Sequence, residues 1–430
     1  MRLDREHALM LDTADPLRDW RARFVLPRGD DGGTLVYLCG HSLGAQPVLA
    51  ERYVAECMED WRRLAVEGHF TGRKPWMPYH ERLAPALARL VGAGELEVVA
   101  MNTLTVNLHL MLVSFYRPQG TRTALLIEHG AFPSDRHAAE SQVRFHGLDP
   151  ARDLIELAPR NGEALLRTAD IVGAIERDGA RLATVLLPGV QYLTGQRLDL
   201  AAITRAGHAQ GCTVGFDLAH AIGNVEVALH DSGADFAVWC HYKYLNSGPG
   251  AVGGAYVHAR HARNDDLPRF AGWWGHDKAT RFLMGPEFRP IEGAEGWQLS
   301  NPPILAMAPI MASLEHFESV GMAALRRKSV ALTGYLEALI QTQLARQVSI
   351  LTPADPAERG AALSFRLHVA RDRARAVFDG LRRRGIVPDW REPDVIRVAP
   401  VPFYNSFEDV WRFADALRAE LGSGAAAATG

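Results

Sequence analysis

The sequence has 430 residues, of which 47% are hydrophobic, so it can bury a sizeable core and is neither a disordered nor a fibrous chain. Its 47 basic and 50 acidic side chains leave a net charge of −3, which gives no reason to expect nucleic acid or a membrane as a partner. The four cysteines are dispersed and the N-terminus lacks a signal-peptide h-region, so we expect a soluble protein of the reduced cytoplasm.

Residues 1–45 precede the first strong helical pattern and are predicted to form an N-terminal arm. The helix that follows is predicted over residues 47–66. Its apolar face is formed by Leu49, Tyr53, Cys57, Trp61 and Leu64.

Short apolar runs recur in the next part of the chain and predict seven strands. The runs cover residues 98–101, 124–127, 154–157, 183–187, 213–216, 236–240 and 254–257. Several are apolar at consecutive positions, as expected when helices cover both faces of a sheet, and amphipathic stretches lie between many of them. The pattern predicts an α/β fold with a mostly parallel sheet, in a large domain of residues 46–310.

A smaller α+β domain is predicted over residues 311–421. A long helical region, roughly 303–347, leads to a strand in which Leu363, Phe365 and Leu367 alternate with polar residues. A helix over residues 371–384, a strand over 395–399 and a last helix from Ser406 complete this domain. The tail, residues 422–430, reads GSGAAAATG and is expected to be unstructured.

A lysine follows the buried strand predicted at residues 236–240. Lys243 lies in the stretch Y-K-Y-L-N-S-G, residues 242–248. Such a lysine is either a surface cation at a strand end or an amine in an enclosed site, where its nitrogen can bond to a carbonyl carbon. Both interpretations are open on this stretch alone.

An aspartate follows the strand predicted at residues 213–216, in the stretch D-L-A-H of residues 217–220. The carboxylate of Asp217 therefore emerges at the carboxyl end of the sheet, where open α/β folds bind their ligands. It is either a helix N-cap or the anion that keeps a pyridine nitrogen protonated, with His220 nearby to position the ring.

These two stretches, with Lys243 placed 26 residues after Asp217, together resemble the kynureninase family. The resemblance runs from Tyr37 to Asn405. It implies a pyridoxal-phosphate enzyme of the aspartate aminotransferase fold, fold type I, with a seven-stranded sheet and a homodimeric assembly. The implied reaction is the hydrolytic Cβ–Cγ cleavage of L-kynurenine or 3-hydroxy-L-kynurenine to anthranilate or 3-hydroxyanthranilate and L-alanine, in tryptophan catabolism.

The resemblance also implies residues that bind pyridoxal 5′-phosphate. The segment 102–107 links a strand to a helix, and its residues are equally suited to ordinary capping and to binding a phosphate at a helix N-terminus. In the family, the positions of Leu104 and Thr105 bind the phosphate, and Tyr242 contacts it beside the catalytic Lys243. The other implied cofactor residues are Phe132, which stacks on the ring, Pro133, Ser134, Asp135, Asp217, His220, Trp273 and Asn301.

On the substrate side, Arg397 lies in the apolar strand of residues 395–399, where a guanidinium requires an anion. An internal salt bridge would supply one. In the family this position holds the substrate α-carboxylate, and the positions of His69, Ser300 and Asn301 contact the aromatic end of the substrate. Trp273 and Asn301 are expected to reach the site from the neighbouring subunit, which makes the active sites composite. His69 and Asn301 also favour a hydroxylated ring.

Three alternatives remain open. Residues 40–44, G-H-S-L-G, match a nucleophile elbow and would make Ser42 the nucleophile of a serine hydrolase, although 39 preceding residues are too few for the strands that such an elbow requires. Another fold-type-I enzyme, such as an aminotransferase, would release a keto acid. A non-catalytic binding protein would leave Lys243, Asp217 and Arg397 unexplained. The family pattern usually reads C-G-N-S-L-G, so His41 is a departure from it.

Overall fold

The computed structural model describes residues 3–264 and 266–422. The helices are α1 (Arg5–Ala14), α2 (Val48–Leu64), α3 (Ala84–Val91), α4 (Leu104–Phe115), α5 (Pro133–Phe145), α6 (Pro150–Asp153), α7 (Thr168–Asp178), α8 (Leu200–Ala209), α9 (Leu229–Ser232), α10 (Ile304–Val320), α11 (Met322–Gln343), α12 (Arg371–Arg383) and α13 (Phe407–Gly422). The strands are β1 (Phe24–Val25), β2 (Val36–Tyr37), β3 (Gln46–Pro47), β4 (Val98–Met101), β5 (Ala124–Glu128), β6 (Leu154–Leu157), β7 (Leu182–Pro188), β8 (Thr213–Asp217), β9 (Phe236–Cys240), β10 (Gly253–Val257), β11 (Val348–Ile350), β12 (Leu363–Leu367), β13 (Ile386–Val387), β14 (Asp389–Arg391) and β15 (Val395–Val398).

The central sheet has seven strands in the order β4-β10-β9-β8-β7-β5-β6. Strand β10 runs antiparallel to both of its neighbours, and the other pairs are parallel. Each of the seven strands corresponds to one of the apolar runs in the sequence, so the predicted mostly parallel α/β sheet is confirmed. Because the parallel strands end at one edge, the segments that follow β4, β5, β8 and β9 meet there.

Both faces of this sheet are buried, which explains why its strands do not alternate between apolar and polar residues. In β5, Leu125 and Ile127 belong to one hydrophobic core, while Leu126 between them belongs to the core on the opposite face. The helices that connect the strands supply the other side of each core. The sheet is therefore a fully covered support, and ligands can reach it only at its ends.

A second sheet lies in the C-terminal part of the chain, with the strand order β11-β12-β15-β14 and antiparallel pairing throughout. Helices α11, α12 and α13 contribute to its core, which also contains Leu363, Phe365 and Leu367. These three residues form the buried face predicted from their alternation, although Ser364 between them is also buried, and its hydroxyl donates a hydrogen bond to the carbonyl of Leu193. The division at residues 310 and 311 remains a prediction.

The N-terminal segment is integrated into this C-terminal part. Ala8 of α1, together with Val36 and Leu38, is buried in the same core as α13. Strand β2 also pairs in parallel with β13. The segment called an arm on sequence grounds therefore carries a helix and part of a core. Of the predicted tail, Gly422 ends α13, and residues 423–430 lie outside the described residues.

Across residues 3–264 and 266–422, none of the helices combines the length and the apolar character that a bilayer crossing would require.

Candidate active site

A cavity lies at the carboxyl edge of the central sheet. It is bounded by the ends of β5, β7 and β8, by the first turns of α4 and α5, and by the segment after β9. Its lining residues are Leu104, Thr105, Ile127, Glu128, Ala131, Phe132, Ser134, Asp135, Leu186, Leu187, Pro188, Val190, Tyr192, Asp217, Ala219, His220, Tyr242 and Lys243. Site residues predicted from four separate stretches of the chain thus line the same cavity.

Lys243 lies in the wall of this cavity because β9 ends three residues earlier, at the edge of the sheet where the cavity lies. Its Nζ lies 3.2 Å from Nε2 of His220 and 5.7 Å from the centre of the Phe132 ring. Burial lowers the pKa of His220 well below its usual range, and the positive charge of Lys243 lowers it further. His220 is therefore neutral and can accept a hydrogen bond from the ammonium group of Lys243.

Asp217 is the last residue of β8 and is buried. Its Oδ1 accepts a hydrogen bond from the backbone N–H of Ala219 at 2.6 Å, so this side chain also supports the turn that follows the strand. Residues 218–228 form no helix, so Asp217 is not the helix N-cap considered from the sequence, and the bond to Ala219 leaves Oδ2 for another partner.

Asp135 lies in the first turn of α5 on another wall of the same cavity. Burial raises the pKa of Asp135 well above its usual range, and the negative charge of Asp217 raises it further. Its Oδ1 is buried and accepts no hydrogen bond from any residue in the described part of the chain. An unsatisfied carboxyl oxygen beside a second carboxylate is the environment that a protonated pyridine ring with a neighbouring hydroxyl group would complete.

The first turns of α4 and α5 form a second polar region of the cavity. The side chain of Thr103, the N-cap residue of α4, accepts no hydrogen bond from a backbone N–H of this helix within the described residues. Backbone N–H groups in the first turn of α4 can therefore donate to a ligand. The hydroxyl groups of Thr105 and Ser134 lie 2.7 Å apart, one from each helix. Two helix N-termini and two hydroxyl groups fit a phosphate. The cavity therefore has the donors and carboxylates that pyridoxal 5′-phosphate requires.

Tyr242 lines the cavity beside Lys243, and burial raises the pKa of its hydroxyl group above the usual range. The group therefore stays protonated and can donate a hydrogen bond. Pro133 is the first residue of α5 and lies between Phe132 and Ser134, but it is not part of the cavity wall.

Besides Pro133 and Arg397, four of the predicted residues do not line the cavity of their own chain: His69, Trp273, Ser300 and Asn301. Trp273 has 41% of its surface exposed, and Ser300 and Asn301 are also exposed. His69 is half-buried and packs edge-on against Trp76, with ring centres 5.2 Å apart. Within one chain, therefore, the expected cofactor and substrate contacts of these four residues are not formed.

Arg397 is fully buried in β15 and forms an ion pair within the chain. Its Nε donates to Oδ2 of Asp389 at 2.7 Å, and one Nη2 hydrogen donates to the same oxygen. The backbone carbonyl of Tyr192, a residue of the cavity wall, accepts a hydrogen bond from Nη1. The internal salt bridge considered from the sequence is present, and it ends at the edge of the cavity.

Among the residues of the cavity wall that sequence reasoning missed, two carry polar side-chain groups, Glu128 and Tyr192. Glu128 ends β5, accepts a hydrogen bond from Gln191 at 3.3 Å, and is buried, which raises its pKa to about 7. A charged residue at the carboxyl end of a buried strand was the signal that could have revealed it. Tyr192 packs edge-on against Phe132 at 5.3 Å, and its position in an irregular loop carries no such signal.

Ser42 is not in a nucleophile elbow. The strand before it, β2, pairs with β13 instead of joining the central sheet, and the next helix begins only at Val48. The glycines of the motif have a packing explanation, since a Cβ atom on Gly44 would lie 2.4 Å from the carbonyl oxygen of Lys243. The motif is therefore a close-packed loop against the segment that carries the lysine.

Comparisons with known proteins agree with this geometry. Residues 325–417 match the family model of the kynureninase C-terminal domain. The kynureninase of Stenotrophomonas maltophilia (strain K279a) is 58% identical over 420 residues, which cover 98% of this chain and 99% of that protein. The kynureninase of Koribacter versatilis (strain Ellin345) is 55% identical over 96% of this chain and 97% of its own length.

Solved structures with the same fold are more distant in sequence. The cysteine desulfurase CsdA from Escherichia coli superposes with a TM-score of 0.75 at 16% identity, over 95% of this chain and 98% of its own. An apo cysteine desulfurase from Thermococcus onnurineus NA1 gives a TM-score of 0.72 at 17% identity, over 91% and 95% of the two chains. At such identities the likeness establishes the fold and nothing finer.

Proposed function

The chain belongs to the kynureninase family, and from this membership we propose that it hydrolyses the Cβ–Cγ bond of L-kynurenine or 3-hydroxy-L-kynurenine. The products are anthranilate or 3-hydroxyanthranilate and L-alanine. The observation that carries the proposal is the meeting of Lys243, Asp217, Asp135 and the N-terminus of α4 around one cavity. Pyridoxal 5′-phosphate, when bound there, supplies an acceptor for the electrons released at the substrate α-carbon.

We assign the cofactor contacts by matching each group to its chemistry. The backbone of Leu104 and the hydroxyl groups of Thr105 and Ser134 hold the phosphate, with Tyr242 donating to it. Asp217 carries the negative charge that keeps the ring nitrogen protonated, and Asp135, whose pKa is raised by burial, contacts the ring hydroxyl region. The face of Phe132 covers the ring, and Pro133 fixes the direction in which α5 begins.

The remaining residues handle protons and the substrate. Lys243 is the residue whose amine would hold the cofactor, and as a free amine it would take the proton from the substrate α-carbon. Neutral His220 holds the Nζ of Lys243 within 3.2 Å of its ring, which keeps the amine inside the chamber. Tyr242 supplies a proton donor beside it. Arg397 binds the substrate α-carboxylate.

We further propose a homodimer in which each active site is completed by the partner subunit. An apolar groove, lined by Cys57, Trp61, Trp76, Pro303, Ile304, Leu305 and Ala306, lies on the surface of the chain. Trp61 has 56% of its surface exposed and Leu305 has 42%, which suits a protein interface better than water. His69 packs on Trp76 of this groove, and Ser300 and Asn301 lie three and two residues before Pro303 in the chain.

This arrangement explains why His69, Trp273, Ser300 and Asn301 do not line their own cavity. When a second copy covers the groove, they can approach the cavity of that copy, where they contact the cofactor and the aromatic end of the substrate. His69 and Asn301 provide hydrogen-bonding groups for a ring hydroxyl, so we propose a preference for 3-hydroxy-L-kynurenine. All four cysteines are free thiols, in keeping with the cytoplasmic location that we propose.

Subunit complementation tests the composite site. The variants Lys243→Ala and Asn301→Ala are each expected to be strongly impaired as homodimers. When the two are unfolded, mixed in equal amounts and refolded with cofactor, half of the dimers carry both variants, and one of their two sites has both native residues. Activity should therefore recover to about a quarter of the wild-type value. If each site were built from a single chain, mixing would restore nothing, and the proposed assembly would be wrong.

Product analysis tests the reaction itself. The purified holoenzyme is incubated with L-kynurenine and, separately, with 3-hydroxy-L-kynurenine, and the products are identified by mass spectrometry. We expect an anthranilate and alanine in equal amounts, with a higher kcat/KM for the hydroxylated substrate. Formation of a keto acid together with an aminated cofactor would instead identify an aminotransferase. A cofactor-free sample serves as the control.

A further inference from the structure

The buried salt bridge of Arg397 has an arrangement that the proposed substrate contact does not by itself explain. In the C-terminal sheet, β14 and β15 are antiparallel, and Asp389 lies directly opposite Arg397. Arg391 follows Asp389 by two residues and therefore projects from the same face of the strand. The three charged side chains form a row. Arg397 also donates a hydrogen bond to the backbone carbonyl of Tyr192, a residue of the cavity wall.

The hydrogen bonds of Arg397 divide its guanidinium group into two parts. Nε and one Nη2 hydrogen point to Oδ2 of Asp389, and one Nη1 hydrogen points to the carbonyl of Tyr192. A guanidinium group has five N–H donors. Two of them, one on each terminal nitrogen, therefore have no acceptor among the described residues. A carboxylate can accept from both, in the two-point contact that is characteristic of arginine.

The surroundings of Asp389 keep it an anion. Burial acts to raise its pKa, but the neighbouring ring of His41 and the positive charges of Arg397 and Arg391 outweigh this effect and hold the pKa below the usual range. Nε of Arg391 lies 2.9 Å from Oδ2, and Nε2 of His41 lies 3.6 Å from it. Burial lowers the pKa of His41 to about 4, so this ring contributes no positive charge at neutral pH.

The charges of this row leave one positive charge uncompensated. Arg391 and Arg397 carry two positive charges, Asp389 carries one negative charge, and His41 is neutral. An incoming carboxylate would balance the row. His41 preserves this balance, because its uncharged ring lies beside the carboxylate of Asp389 without competing for the substrate.

We propose that Asp389 is the positioning residue of the substrate-carboxylate site. It holds Arg397 by Nε and one Nη2 hydrogen, which leaves the two other terminal N–H groups for the substrate carboxylate, while His41 lies 3.6 Å from the same carboxylate oxygen of Asp389. This inference rests on the proposed role of Arg397. A purely structural salt bridge would also stabilise the pairing of β14 and β15, but its loss would lower stability without changing the affinity for a carboxylate.

The test replaces Asp389 with asparagine, which keeps the shape of the side chain and removes its charge. For the holoenzyme we expect the KM for L-kynurenine to rise about tenfold or more, with kcat within about threefold of wild type, because ground-state carboxylate binding is what weakens. The Kd of the product L-alanine, measured by calorimetry, should rise in parallel. Asp394→Asn is the matched control, since Asp394 pairs with Arg366 at 3.2 Å on the surface.

The variant Arg397→Lys separates the proposed substrate contact of Arg397 from the proposed positioning role of Asp389. If this change raises KM and the L-alanine Kd while Asp389→Asn leaves both within twofold, the positioning role is refuted and the role of Arg397 stands. If Arg397→Lys leaves both constants unchanged, the proposed substrate contact falls, and the positioning role falls with it. Should Asp389→Asn fail to fold, Asp389→Glu decides the question. It retains the charge but displaces the guanidinium, so it should raise KM, and an unchanged KM would refute the proposal.

Discussion

Replacement of Lys243 by alanine is expected to abolish turnover of kynurenine, by a factor of roughly 10⁴ or more, because the chain loses both its covalent link to the cofactor and its base at the α-carbon. The absorbance band of the lysine-bound cofactor should disappear as well, while the cofactor still binds through its phosphate. Activity is measured by anthranilate release, and the cofactor state by the absorbance spectrum of the purified variant.

The distribution of lysines allows an independent check of this assignment. Apart from Lys243, the chain has only Lys74, Lys278 and Lys328. Borohydride reduction of the holoenzyme followed by peptide mass analysis should place the cofactor on Lys243. Lys278→Ala is a suitable control, because Lys278 is half-exposed and pairs with Glu81 and Glu295 outside the cavity. Cofactor trapped on one of the other three lysines, or turnover retained by Lys243→Ala, would refute the assignment.

The sheet could be predicted from the sequence because its strands are buried on both faces. Consecutive apolar residues such as Leu125, Leu126 and Ile127 each enter a hydrophobic core, so the run of apolar letters is unbroken and its ends mark the strand ends. Asp217 and Lys243 could be placed for the same reason. Each is a polar residue just beyond such a run, at the edge where the parallel strands end.

The parts that could not be predicted depend on contacts between distant segments. The N-terminal segment has only a short helix of its own, and its burial of Ala8, Val36 and Leu38 depends on a core supplied by residues more than 290 positions later in the chain. The pairing of Asp389 with Arg397 needs the register of two short strands, which no local pattern specifies. The composite site that we propose for His69 and Asn301 depends on a second copy of the chain, and a single sequence contains no geometry between copies.

The second large effect is expected at Asp217, where two roles must be separated. Its Oδ1 accepts the backbone N–H of Ala219, and its negative charge faces the cavity near Asp135. Asparagine at this position keeps an oxygen for Ala219 and removes only the charge. We therefore expect Asp217→Asn to lower kcat by roughly 10²-fold or more, an effect typical of losing one preorganised electrostatic contact, with a thermal midpoint close to that of wild type.

Comparison with Asp217→Ala decides between the two roles. Alanine removes the charge and the hydrogen bond to Ala219 together, so it should show the same loss of kcat and, in addition, a lower thermal midpoint, by an amount equivalent to about 1 kcal/mol. If asparagine retained wild-type kcat while alanine did not, the carboxylate would act only as support for the turn after β8. The ring nitrogen of the cofactor would then need another anion, and Glu128 and Asp135 are the carboxyl groups of the cavity wall that could supply it.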